Sequence, residues 1–153
     1  MGFGGEEFEA TELNIGEWAT GTITFCPGQG MGYGSAFVMP HDAVLQDVRV
    51  LFSALDFIDI TPGAAVFPFV AVAVSNTPTL VYTVLQPSIT TVDPFFGGVN
   101  YPEYTLRKAS TSNLNIPVAA GTLVGLVAGI RAQNVPFEQS LEINVSAGLF
   151  FSS

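Results

Sequence analysis

Charge is what this chain has least of. Only 11% of its 153 residues are Asp, Glu, Lys or Arg, against about 25% in an ordinary soluble domain. Ionised side chains therefore cannot coat a lone molecule. Either Ser, Thr and Asn solvate the surface or much of it is buried between copies, and the balance favours an obligate oligomer. Basic residues are scarcer still, 4 Lys plus Arg against 13 Asp plus Glu. No basic stripe exists, which argues against a nucleic-acid partner. The single cysteine, Cys26, excludes an intrachain disulfide. It is either a buried thiol, the common fate of a lone Cys, or an intersubunit crosslink. The single histidine, His41, lies beside Asp42 with no Ser or Cys in a recognisable nucleophile motif near it, which argues against a hydrolytic triad. One His and one Cys cannot make a zinc centre. Asp56 and Asp59 lack the acidic density of a calcium loop. The expectation is no enzyme, no cofactor and no metal.

Long apolar runs are missing too. The longest, residues 64–74, is interrupted by Pro68 and falls far short of the roughly 20 residues that cross a bilayer, so no membrane span is expected. The opening Met1-Gly2-Phe3 leads into Glu6, Glu7 and Glu9 rather than a basic and then apolar leader, so no secretory signal peptide is read. Glu6 also stands where N-myristoylation requires Ser or Thr. Gly28, Gly30, Gly32 and Gly34 alternate in a loop pattern that lacks the third glycine of a dinucleotide fingerprint. Asn144-Val145-Ser146 matches a glycosylation acceptor but falls mid-strand, and is read as a chance match.

No segment repeats its apolar residues at helical spacing, whereas alternation is abundant. Residues 114–130, LNIPVAAGTLVGLVAGI, carry no charge. Thr122, Val124, Leu126, Ala128 and Ile130 fall on one side of an extended chain, and Leu123, Gly125, Val127 and Gly129 on the other. Both faces must be dry, and something must cover the second, either an opposing sheet or a neighbouring subunit. Residues 67–74 form a second dry strand. It turns at Asn76-Thr77-Pro78 and pairs with residues 79–86 as a hairpin. Residues 21–26 form a short half-buried strand. Residues 35–40 and 43–53 form a pair about a His41-Asp42 turn, with Val44, Val48, Val50 and Phe52 opposite Asp47 and Arg49. Residues 87–113 are a long weakly patterned loop carrying Phe95, Phe96, Tyr101, Tyr104, Arg107 and Lys108. Residues 141–151 alternate cleanly. About eight or nine strands in a chain of this length predict an all-β, two-sheet sandwich of jelly-roll type.

Two domains are read. Residues 21–153 are the sandwich. Residues 1–20 hold five Glu and no basic residue, with spaced apolar positions Phe3, Phe8, Leu13, Ile15 and Trp18, and are read as an acidic connector whose Leu13–Ile15 alternation adds a strand to a sheet edge, its own or a neighbour's.

FVMPHDAVLQDVRVLFS (residues 37–53), LNIPVAAGTLVGLVAG (114–129) and NVSAGLFF (144–151) resemble the C-terminal domain of the collagen-like exosporium glycoproteins of Bacillus and related spore formers. The resemblance implies a jelly roll like that of tumour necrosis factor and complement heads, a tight homotrimer on the spore surface, and no enzymatic role. A trimer interface through Phe69, Val72, Val124, Leu126 and Val127 would account for strands apolar on both faces. The chain departs from that pattern in having no Gly-X-Y repeat and no basic or proline-rich leader. Its layout is similar to that of spore appendage fibre subunits, which are jelly rolls joined by N-terminal connectors. Trimers stacked head to tail through residues 1–20 are therefore expected, with the chain itself and other spore-surface proteins as partners. The alternatives are a trimeric adhesin or carbohydrate-binding head using residues 95–104, and a phage capsid or tail jelly roll.

Overall fold

β-Branched and alternating segments build strands, and the computed structural model, which describes residues 6–10, 22–24, 36–54, 60–76, 81–133 and 141–153, contains twelve. They are β1 (Glu6–Ala10), β2 (Thr22–Thr24), β3 (Ala36–Val38), β4 (Ala43–Ala54), β5 (Ala65–Ser75), β6 (Val81–Val84), β7 (Thr90–Thr91), β8 (Phe95–Phe96), β9 (Leu106–Thr111), β10 (Ile116–Val118), β11 (Leu123–Gln133) and β12 (Leu141–Ser152). A short 3-10 turn, Gln86–Ser88, separates β6 from β7. There is no α-helix among the described residues.

Two antiparallel sheets pack as a sandwich. The first runs β1-β12-β4, and the far edge of β4 is shared end to end by β9 and β10. The second runs β2-β6-β5-β11-β3, with β7 and β8 following β6 along the same edge of β5. Between them lies one core that includes Leu45, Val48, Phe52, Val66, Val70, Val72, Phe95, Val124 and Ile143, all essentially without solvent contact. Each such side chain is worth roughly 1.5–3 kcal/mol relative to exposure.

The two apolar segments singled out in the sequence pair with one another, β5 with β11 over eleven residues, as the spine of the second sheet. On its other face Ala71, Ala73, Tyr82, Val84 and Val127 form a second buried cluster, with Ile89 and Leu123 packed against it. A single chain thus keeps both faces of these strands dry, and their composition requires no second copy.

Several expectations are corrected. Residues 114–130, which Pro117 and the Ala120-Gly121 turn cut short as the sequence indicates, are divided between the two sheets. They are β10 in the first sheet and β11 in the second, joined by the Ala120-Gly121 turn, where Gly121 takes φ +82°. Pro117 sits in β10, an edge strand, where its missing N–H costs no ladder bond in the sheet interior. Nor do residues 35–40 and 43–53 form a hairpin, because β3 pairs with β11 and β4 with β12, so the chain changes sheets at His41-Asp42. These two crossings run side by side. Met39 N–H donates to Thr122 O (2.9 Å), Gly121 N–H to Met39 O (2.8 Å), and Ala120 N–H to the Asp42 carboxylate (2.8 Å).

The face assignment of Val44 also changes. Buried positions along β4 run Ala43, Leu45, then Val48, Val50, Phe52 and Ala54. The alternation slips because the register with β12 jumps from Asp47↔Phe150 to Leu45↔Phe151, a β-bulge at Gln46. Leu45 takes the core position that alternation gives to Val44. Residues 87–113 are likewise no loop. They contribute β7, β8 and β9, three of the pieces that raise the strand number above eight or nine. Residues 55–59, with Asp56 and Asp59, lie outside the described residues.

Candidate functional site

Among the described residues, aromatic and cationic side chains gather where β8 and β9 meet, around Phe95, Tyr101 and Arg107. Phe95 is fully buried, and Tyr101 meets its ring edge-on at 5.0 Å. The Arg107 guanidinium lies 4.5 Å from the Phe95 centroid and 5.4 Å from that of Tyr101. It belongs there because Arg107 pairs across the ladder with Phe52, and opposite residues of an antiparallel pair share a face. Phe52 is core, so Arg107 points between the sheets. Its Nη1 donates to Leu106 O (3.1 Å) and Nη2 reaches Pro94 O at 3.5 Å, while Nε is buried with no acceptor. The aromatic faces take the place of a carboxylate.

The turn that returns the chain over this corner depends on glycine. A Cβ on Gly97 would lie 1.8 Å from Thr61 O, and Gly97 N–H donates to Ala64 O (2.8 Å). Gly98 takes φ +79°. The Tyr101 hydroxyl then accepts from Phe96 N–H (2.9 Å), which clips the loop to β8.

The aromatic segment therefore divides. Phe95 and Tyr101 pack inward, whereas Phe96 is 52% and Tyr104 67% exposed. Tyr104 has the left-handed backbone, φ +62°, uncommon for a tyrosine, and its N–H is held by Ala54 O (2.8 Å). A sugar-binding platform would have Phe96 and Tyr104 to offer, not the whole segment. Nothing in the corner resembles a nucleophile with its base, and its cation is consumed by packing.

His41 is exposed, with Nδ1 2.9 Å from Asp42 O, and Asp42 is engaged by Ala120 N–H. The Asp42 carboxylate, not the imidazole, ties the two crossings together. Among the described residues no three His, Cys, Asp or Glu side chains gather as metal ligands, and no helix is long and apolar enough to cross a membrane.

The proposed interface residues sit as follows. Val72 and Val124 are enclosed between the chain's own sheets and have no surface left for a neighbour. Leu126 is half-buried against the same core. Phe69 and Val127 lie on the sheet's other face, 2% and 8% exposed within one chain. Of the connector residues, Phe8 lies on β1 opposite Ile143, and Phe3, Leu13, Ile15 and Trp18 lie outside the described residues, as does Cys26. The N-terminal strand is Glu6–Ala10, and it pairs with the chain's own β12.

Alternation does not reveal two other features. Ser88, fully buried, accepts from Val72 N–H (2.8 Å) and donates to Leu85 O (2.6 Å), so a hydroxyl mends the ladder where the 3-10 turn interrupts it. Thr90 and Thr111 join the two sheets hydroxyl to hydroxyl at 2.8 Å. The only signal is small hydroxylic residues inside an otherwise apolar or loop-like stretch.

Compared with protein families, with characterised proteins and with solved structures, the chain matches none.

Proposed function

We propose that this chain is a non-enzymatic structural subunit, a jelly roll that assembles with copies of itself, as a trimer or a fibre, on the surface of a spore. The strand order supports the jelly roll. One sheet is β1-β12-β4-β9/β10 and the other β3-β11-β5-β6-β2, an arrangement in which paired strands pass together from sheet to sheet at the 39–42 and 119–122 crossings.

The observation that carries self-association is the remaining surface. After a large internal core is satisfied, Val38, Val81, Phe96, Val99, Tyr104, Leu106 and Phe150 still stand exposed on a chain with 11% charged residues. Single exposed apolar side chains are ordinary, but so many with so little charge favour coverage by neighbours. The spore-surface location rests on the resemblance of residues 37–53, 114–129 and 144–151.

Negative-stain electron microscopy of the purified protein at neutral pH tests this directly. Closed trimers or filaments support a structural subunit. Isolated particles the size of one chain at every concentration remove it.

A further inference from the structure

We infer that copies of this chain join edge to edge through the first sheet, the acidic edge strand β1 of one copy lying antiparallel to the basic edge strand β9 of the next. The inference rests on the self-assembly proposed above and names the junction. Among the described strands, β1 pairs only with β12, and β9 pairs only with β4. These are the two outer margins of one sheet, five and six residues long.

Their charges oppose. β1 carries Glu6, Glu7 and Glu9, and Glu9 stands opposite Glu142 of β12. β9 carries the exposed Lys108, and the exposed Arg49 on the adjoining strand stands opposite Ser110, while Arg107 is turned inward onto Phe95 and Tyr101. Two exposed basic residues, Lys108 on β9 and Arg49 on the strand beside it, therefore stand along one side of a sheet whose opposite edge strand carries Glu6, Glu7 and Glu9.

Direction agrees as well. Pairing from β1 to β12 to β4 to β9 is antiparallel at each step, so β9 runs opposite to β1. A second copy in the same orientation thus presents its β1 antiparallel to β9 of the first, and the alternation continues across the junction. Charge on an edge blocks indiscriminate pairing. Here it disfavours β1 beside β1 and β9 beside β9, the two arrangements that would close as symmetric dimers, and leaves the unlike pair. A head-to-tail contact of that kind propagates instead of closing, unless the rotation per copy makes a ring.

Sedimentation velocity of the full chain at low and high salt reads this out, with two charge-reversed variants. Raising NaCl from about 20 mM to about 500 mM shortens the screening length from roughly 20 Å to roughly 4 Å and should dissociate wild-type assemblies. Lys108→Glu puts an acid on the basic edge strand, and Glu7→Lys/Glu9→Lys puts two bases on the acidic one. Each alone should self-associate at least about tenfold more weakly than wild type, and an equimolar mixture should recover alternating assemblies, which also shows that both variants are folded. Lys108→Glu assembling as wild type does, or a mixture that stays dispersed, overturns the edge junction while leaving self-assembly standing. A wild-type chain that never assembles overturns both.

Discussion

Replacing Ser88 with alanine tests how the second sheet survives the break in its edge. The hydroxyl accepts from Val72 N–H at 2.8 Å and donates to Leu85 O at 2.6 Å, in a site without solvent. Leu85 O keeps a second donor, Ser88 N–H at 2.8 Å, so the main loss is the amide of Val72, left buried without an acceptor. Such an orphan costs about 1–3 kcal/mol. With a urea slope of about 2 kcal/mol/M, the midpoint falls by roughly 0.5–1.5 M at unchanged slope, and Tm falls by about 3–10 °C. Protein concentration must be held fixed, because association shifts apparent stability. Exchange of the Val72 amide should accelerate beyond what global destabilisation gives. Ser112→Ala, at an exposed position outside the strands, is the control and should stay within about 0.5 kcal/mol. A Ser88→Ala midpoint equal to that of the control, with Val72 still protected, refutes the repair of the ladder by a hydroxyl.

Gly97→Ala places a methyl 1.8 Å from Thr61 O and must displace the Thr61-Pro62 backbone, costing more than about 3 kcal/mol in thermal or urea unfolding. Gly148→Ala, with nothing within 4 Å of its Cβ, should be neutral or stabilise by up to about 0.5–1 kcal/mol. Arg107→Ala removes the cation over Phe95 and Tyr101 together with its packed stem, a loss of about 1–3 kcal/mol in urea that persists in about 1 M NaCl because the contact is desolvated. Asp42→Ala frees the Ala120 amide at the crossing and should cost about 0.5–1.5 kcal/mol, whereas Asp42→Asn, which retains the acceptor, should recover most of it on the same melting curve.

The extent to which these features are legible in the sequence follows from what side-chain period can encode. Alternation identifies β12, because residues two apart share a face whatever lies around them, and uninterrupted apolar, β-branched sequence identifies β5 and the 122–130 part of the central segment. The β5–β6 pairing also follows from the turn residues between them, and the structure bears it out at Ala73↔Val84 and Val74↔Thr83. Period says nothing about which sheet a strand joins. The His41-Asp42 and Ala120-Gly121 turns look like hairpin turns, yet each carries the chain across the core, and only the hydrogen bonds between the two crossings distinguish the cases. A bulge is equally silent, since Gln46 shifts the phase of β4 without any change in composition. The dry second face of β11 does imply a cover, but not its origin, and here the second cluster around Ala71, Ala73 and Val127 is buried by the same chain. The aromatic corner is half visible. Phe95, Tyr101 and Arg107 stand out as a group, but their inward packing depends on the pairing of Arg107 with Phe52, a β4–β9 contact distant in sequence that no local pattern states.

Sedimentation velocity on the untagged chain, diluted from about 100 µM to about 1 µM at low salt, tests most directly whether this surface is made to be covered by copies of itself. Self-assembly predicts boundaries at multiples of 16.1 kDa that grow with concentration. A single 16.1 kDa boundary across the whole range would contradict it.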